Sequence, residues 1–308
     1  MSYSPIALFV YKRPEHTRRV LESLMQCPEF DDSPLYIFCD GAKKEEDKDK
    51  VIQAREVVRS MVGAKAEIVE SPTNRGLANS ITSGVTSLCN KYGRVIVLED
   101  DLVVAPQFLS FLNAALDKYQ DESSVMQISG YMFPVPEFIN KTEAVFLPFT
   151  TSWGWGTWKR AWDCFDAQAS GWEILQTNKQ MRLRFNLDGS FDYFNMLKMQ
   201  MSGEIDSWAI RWYWSVFKKN GCVIFPPISY VTNIGFDSSG THGSRSAKLL
   251  LSSNTKLERA TNISFDTLIN IKKYEYNLVK KMIKKLNNKI LVSIKNIPKL
   301  LSQIIKTF

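Results

Sequence analysis

The chain has 308 residues, 44% hydrophobic and 23% charged, enough apolar material for one large or two small globular domains, which excludes a disordered or fibrous chain. The formal net charge is +7, yet from Lys272 onward ten lysines face one acid, Glu275, so the rest is near neutral and no nucleic-acid groove is expected. Five cysteines without a Cys-x-x-Cys pair argue against zinc, redox or disulfide motifs; with no leader segment and no run of about 18 apolar residues, a cytoplasmic protein is expected.

Pro5 to Val10 is predicted as a short buried strand, followed by Tyr11-Lys12-Arg13-Pro14 and a helix with Val20, Leu21 and Leu24 at helical spacing. Pro14 suits the first turn of that helix. Leu35 to Cys39 is a second strand, ending in Asp40-Gly41, and the charged run Lys43 to Lys50 opens a helix to about Met61. Ala66 to Glu70 is a third strand, after which Asn74-Arg75-Gly76-Leu77-Ala78 turns into a helix ending near Cys89. Strands alternating with helices predict a mostly parallel sheet.

The fourth strand, Arg94 to Leu98, is apolar without alternation, as in a strand buried on both faces, and runs into Glu99-Asp100-Asp101. Ligands of open α/β sheets bind beyond the carboxyl ends of strands, so these acids are expected in a crevice. Three adjacent carboxylates repel unless a cation joins them; Mg²⁺ or Mn²⁺, bridging acids to substrate phosphates, would do so. A plain acidic turn is the alternative. Pro106 to about Tyr119 is predicted as a helix and Val125 to Ser129 as a fifth strand.

After Gly130 the character changes, and five of eight tryptophans fall between Trp153 and Trp172. Trp155, Trp158 and Trp162 keep helix-like spacing, and Trp208 to Trp214 follow in a predicted helix preceded by Glu204 and Asp206. Such rings either fill a core or stack on a sugar. Cys222 to Phe225 is a further strand, before a Gly- and Ser-rich loop from Tyr230 to Gly243 that could close over a ligand. His242, one of two histidines, is in that loop, either as a surface residue or as a metal or phosphate partner.

In the tail, Val279, Ile283, Leu286, Ile290, Ile294, Ile297, Leu301 and Ile304 form one stripe with lysines mostly off it, and Pro298 would kink the run. This pattern suits a helix lying in an anionic membrane interface. A helix docked on the body or in a dimer seam is the alternative.

The early strand into Tyr-Lys-Arg-Pro, the strand ending at Asp40, Asn74-Arg75-Gly76-Leu77-Ala78 and above all Val97-Leu98-Glu99-Asp100-Asp101-Leu102-Val103-Val104-Ala105-Pro106-Gln107-Phe108 resemble the GT-A glycosyltransferases. Within them the sequence is most similar to the N-acetylglucosaminyltransferase I type and bacterial surface-polysaccharide enzymes, over roughly residues 5 to 245. The resemblance implies a Rossmann-like, mostly parallel sheet flanked by helices, with a fused acceptor-binding lobe and, outside the likeness, the basic amphipathic helix. It divides the chain into a nucleotide-sugar-binding part (1–130), an acceptor and catalytic-base part (131–250) and a C-terminal extension (251–308).

The resemblance further implies that Asp101 ligates Mn²⁺ or Mg²⁺, with Glu99 and Asp100 toward the donor sugar and ribose. Asp40 would receive a uracil base, with Arg13, Asn74 and Arg75 near the nucleotide and His242 in a loop ordering over it. Asp206, or else Glu204, would be the catalytic base of an inverting transfer; Asp192 is also available. Trp153, Trp155 and Trp208 would contact the glycan acceptor. The basic tail suggests a polyprenyl-diphosphate-linked acceptor and peripheral attachment to the inner face of the membrane. Two alternatives stand. A sugar nucleotidyltransferase would carry a glycine-rich loop after its first strand, which Tyr11 to Pro14 lacks. A non-catalytic sugar-binding scaffold would not need the acid triplet.

Overall fold

The computed structural model describes residues 3–235, 263–265 and 270–294, with side chains in the last stretch given to residue 288. Alternation governs the first part: β1 (Ile6–Val10), α1 (Pro14–Leu24), β2 (Leu35–Cys39), α2 (Lys48–Val62), β3 (Ala66–Glu70), α3 (Leu77–Tyr92) and β4 (Arg94–Glu99). β5 (Leu102–Val104), α4 (Phe108–Lys118), β6 (Val125–Ser129), β7 (Val145–Leu147) and β8 (Trp155–Trp158) follow. Next come α5 (Lys159–Trp162), α6 (Ile174–Thr177), α7 (Lys179–Phe185), α8 (Tyr193–Met201), α9 (Trp208–Lys218), β9 (Cys222–Phe225) and β10 (Val231–Asn233), and then α10 (Lys273–Ile294). The run Lys43 to Lys50 begins with a single tight turn at Glu45–Asp47, so the helix proper starts later than its charge pattern suggests.

Eight strands form one sheet in the order β3-β2-β1-β4-β8-β6-β9-β7. β1 lies parallel to β2 and β4, β2 to β3, and β6 to β9, while β8 is antiparallel between β4 and β6 and β7 is antiparallel at the edge. This is the mainly parallel sheet flanked by helices that the resemblance implies. The chain steps outward from β1 to β3 and then returns to lay β4 on the other side of β1. That reversal opens a crevice at the carboxyl ends of β1 and β4. Phe9 pairs with Glu99, so the two strand ends are level and Tyr11-Lys12-Arg13 emerges beside the acid triplet.

One prediction fails at the tryptophans. Trp155–Trp158 is a strand, not part of a helix, although its rings recur three apart. Gly154, at φ +58°, and Gly156 disfavour a helix there, and strand geometry turns Trp155 and Thr157 to one face and Gly156 and Trp158 to the other. β8 closes the gap between β4 and β6, pairing Val97 with Trp155 and Ile128 with Gly156.

A continuous aromatic layer then joins α9 to β8. Trp155 stacks on Trp208 at 5.2 Å, Trp162 lies 5.8 Å from Trp155 and 5.1 Å from Trp212, and all four are buried. Trp155 Nε1 is buried without a hydrogen-bond partner among the described residues, but Trp212 and Gln127 are paired. Trp212 Nε1 donates to Gln127 Oε1 at 2.7 Å, and Gln127 Nε2 donates to the Thr151 carbonyl at 2.7 Å, which is how a glutamine survives wholly buried in β6.

The start of α10 is docked on the body. Val279, Ile283 and Leu286, the first three residues of the tail stripe, are buried in the common core. Buried Glu275 pairs with Lys141 at 3.0 Å and Lys280 pairs with Asp188. That part of the stripe therefore covers protein, and the membrane-interface expectation does not hold for it. Lys273, Lys281, Lys284 and Lys285 remain exposed on the outer side. The side chains from residue 289 on, with the rest of the stripe, lie outside the described residues. No helix among the described residues is long and apolar enough to cross a membrane.

Candidate active site

The crevice at the β1/β4 reversal is built around one arginine. Arg13 caps the start of α1, where Pro14 fixes the first turn, and its Nη2 lies 2.6 Å from Asp100 Oδ1 and 3.0 Å from Asp101 Oδ2. Asp100 also accepts from the Tyr11 backbone N–H at 3.1 Å and is almost fully buried. Burial opposes the Arg13 charge, but Asp100 and Asp101 outweigh it and hold the guanidinium more firmly protonated than a free arginine. Burial pushes the Asp101 carboxyl above its ordinary value, with Arg13 pulling it back.

A second, two-stranded sheet closes the other side. β10 pairs antiparallel with β5, and the following Ile234 N–H donates to the Asp101 carbonyl at 2.8 Å. Gly235 is then so close that a Cβ would lie 2.3 Å from Asp101 Oδ2 and 2.8 Å from Arg13 Nη1. A side chain there would have to displace Arg13 or Asp101. Buried His16, one helical turn after Arg13, has its Nε2 3.3 Å from the carbonyl of Ile234, the residue whose N–H bonds to Asp101. The sequence reading missed His16; its signal was the position, three residues after Arg13 on the same face of α1.

Asp40, at the end of β2, plays a different part from the one expected. Its two oxygens accept four hydrogen bonds, from the N–H groups of Gly41 (2.9 Å), Arg75 (2.8 Å) and Gly76 (3.0 Å) and from Asn74 Nδ2 (3.1 Å). A carboxylate has about four lone-pair sites, so none is left for a uracil base. Asp40 instead holds the 74–76 turn in place, and Asn74 seals it with a 2.8 Å bond to the Gly41 carbonyl. The Arg75 side chain is exposed on this rim. Gly76, at φ +77°, sets the entry to α3.

Asp206, just before α9, reaches the same rim. Its Oδ1 pairs with Arg211 at 3.2 Å, and its Oδ2 faces Gly76, 3.9 Å from where a Cβ would sit. Of the other two carboxylates considered as base, Glu204 accepts from Ser202 at 2.7 Å within its own loop. Asp192 caps α8, accepting from the Asn195 N–H and from Asn186. Asp206 is the one of the three placed beside the strand-end loops. Trp153, Trp155 and Trp208 are buried, and Trp155 and Trp208 cover each other's faces, so the acceptor contact expected of these rings is not available. Glu99 is half-buried beside this cluster, and His242 lies outside the described residues.

The turn after β1 is tied down as well. Tyr11 donates through its hydroxyl to Asp47 Oδ2 at 2.8 Å, and Lys12 pairs with Asp47 Oδ1 at 2.6 Å. Among the described residues no group of three or more His, Cys, Asp or Glu side chains is arranged to hold a metal ion. The donor set still fits a hard cation that brings ligands of its own. Mg²⁺-type ions take one or two carboxylates and complete their shell with substrate phosphates, and Asp101 with Asp100 beside it offers that much.

No protein-family model matches the sequence, and none of the curated proteins does either. Among solved structures, the chain is similar to one from Desulfovibrio desulfuricans G20, provisionally named a nucleotide-diphospho-sugar transferase, at 14% identity and TM-score 0.42, over 93% of this chain and 99% of that one. It is similar to a mannosyltransferase from Pyrobaculum calidifontis in complex with GDP-Man and Mn²⁺, at 13% identity and TM-score 0.36, over 71% of this chain and 70% of that one. A third is glucosyl-3-phosphoglycerate synthase from Mycobacterium tuberculosis with Mn²⁺ and UDP, at 11% identity and TM-score 0.31, over 53% and 58%. All three scores are low; the function proposed for this chain comes from its own residues.

Proposed function

We propose that the protein is a metal-dependent, inverting glycosyltransferase that moves a sugar from a nucleotide-sugar, a UDP-sugar first among them, to a glycan acceptor. Two observations support this reading: an acid pair suited to a metal–diphosphate at the end of β4, and an exposed carboxylate, Asp206, beside the Gly76 turn that Asp40 holds at the end of β2. Asp101, with Asp100, would hold Mn²⁺ or Mg²⁺. The ion, when bound, supplies charge neutralisation for the departing diphosphate.

The protein's own part is positioning and proton transfer. Asp206 takes the proton of the acceptor hydroxyl as that oxygen bonds to the anomeric carbon from the face opposite the diphosphate. The carbon–phosphate-oxygen bond breaks, and the nucleoside diphosphate leaves with the electron pair. Arg211, paired with Asp206 at 3.2 Å, keeps that carboxylate aimed. The Asp40-held turn fixes Asn74, Arg75 and Gly76 along the rim, where the donor would lie.

A lipid-linked acceptor, such as a polyprenyl-diphosphate glycan in surface-polysaccharide synthesis, belongs to the same proposal. Its support is the exposed lysine side of α10, which could rest on an anionic leaflet by charge while the helix stays docked. The test of the reading is calorimetric titration of UDP with Mn²⁺, with EDTA and into Asp101→Ala. Binding that needs both the metal and Asp101 is expected. Absence of binding for UDP, GDP, dTDP and CMP alike would remove the donor site. A sugar nucleotidyltransferase would instead release pyrophosphate when given a nucleoside triphosphate and a sugar phosphate.

A further inference from the structure

We propose that Arg13 is the resident counter-ion of Asp100 and Asp101, and that it keeps divalent metal out of the site until a diphosphate draws the guanidinium away. The second half of this proposal rests on the donor reading above. The first half rests on geometry alone. A single Arg13 nitrogen bridges both acids, at 2.6 Å and 3.0 Å. The other terminal nitrogen faces Gly235, whose missing Cβ is what lets arginine and Asp101 Oδ2 share that space. A metal ion ligated through Asp101 Oδ2 would thus stand against a fixed positive charge in a buried setting, where repulsion is weakly screened.

A diphosphate removes the conflict. Its oxygens accept the planar guanidinium fork, a better match than two acids that each receive one bond, and they also ligate the metal. Arg13 is 23% exposed, and Pro14 locks the backbone behind it, so the change is a side-chain rotation with no helix movement. Metal and nucleotide then bind with positive coupling, and the coupling is reciprocal. Lysine at this position would keep the charge but lose the fork.

The experiment titrates Mn²⁺ alone into the full chain by electron paramagnetic resonance, for wild type, Arg13→Gln and Arg13→Lys, and repeats it with UDP. Arg13→Gln is expected to bind Mn²⁺ alone roughly tenfold tighter or more than wild type, and to gain less from UDP. Arg13→Lys should stay near wild type without nucleotide. Mn²⁺ binding by Arg13→Gln that is no tighter than wild type overturns the proposal. Where Arg13→Gln is too unstable to titrate, the rise of its Tm with Mn²⁺ decides: a larger rise than wild type supports the counter-ion, and an equal or smaller one overturns it. If UDP, GDP and dTDP all leave the wild-type Mn²⁺ affinity unchanged, the donor reading fails. The comparison in Mn²⁺ alone still decides the counter-ion.

Discussion

The two halves of the sheet are held together by different physics. In β3-β2-β1-β4, the inner strands β2, β1 and β4 are largely apolar, but the carboxyl ends are wired by charge: Arg13 to Asp100 and Asp101, Asp40 to the 74–76 turn, Asp47 to Tyr11 and Lys12. In β8-β6-β9-β7, the comparable region is filled with rings, Trp155 on Trp208, Trp162 against Trp212, and Phe185 stacked on Tyr213 at 4.6 Å. Charges at a crevice can exchange partners when a ligand arrives. Packed rings cannot, because moving one opens a cavity. Substitutions in the first half should therefore alter binding, and substitutions in the second should alter stability.

The largest expected effect is on the aromatic side. Trp212→Ala removes a buried ring and leaves Gln127 Oε1 without its donor, so a loss of about 4 kcal/mol in urea unfolding is expected. The folded fraction should still bind UDP with Mn²⁺. A Trp212→Ala protein of normal stability that had lost nucleotide binding would invert the comparison.

Asp206→Asn should do the reverse. The amide cannot take a proton, so turnover should fall by roughly 10² to 10⁴ while donor affinity and Tm stay near wild type. Equal losses in Glu204→Gln and Asp206→Asn would show that the base had been misassigned. Asp40→Asn lies between the two kinds. Replacing one oxygen by an NH₂ group sets a donor against donors in a buried turn, with an expected cost of roughly 2–3 kcal/mol and weaker nucleotide binding through the displaced rim.

The same contrast explains what the sequence discloses. β1 to β4 and their helices are legible because each is a short apolar run or a helical stripe, and the crevice is legible because polar residues stop those runs at Arg13, Asp40 and Glu99. Bond partners are not legible. That Asp40 spends its lone pairs on a turn 35 residues away, or that Arg13 bridges the acids, depends on register between strands that spacing does not encode. The ring-filled half misleads because tryptophans three apart satisfy a helix and, with glycines between them, also a strand. β5, β7 and β10, three residues each, carry too little pattern to be predicted.

A smaller effect is expected at α10, which shares the core through Val279, Ile283 and Leu286 but shows Lys281, Lys284 and Lys285 to solvent. Changing those three lysines to glutamate should leave the Tm almost unchanged and reduce co-sedimentation with anionic vesicles, at about 1 kcal/mol for each lysine in contact with the surface. Wild type that never sediments with vesicles would remove the membrane from the proposal.

The smallest effect concerns acid stability, and each half contributes one carboxyl to it. Lys12 and Tyr11 hold Asp47 below the usual carboxylate range; at Asp166 burial works upward, but Lys218 and the Ser170 and Gln168 N–H groups outweigh it. A depressed folded-state pKa adds stability that is present above the unfolded-state value and lost as pH falls through the folded one. Asp47→Asn should therefore unfold at lower urea than wild type near pH 7, and the two midpoints should converge below about pH 4. Asp166→Asn should converge in the same window although its surroundings are aromatic, because the linkage depends on the carboxyl's partners and not on the half that contains it. A gap between Asp47→Asn and wild type that stayed constant from pH 7 to about pH 3 would mean that the Asp47 contacts act by shape alone, and that the charged half is held by packing as much as the ring-filled one.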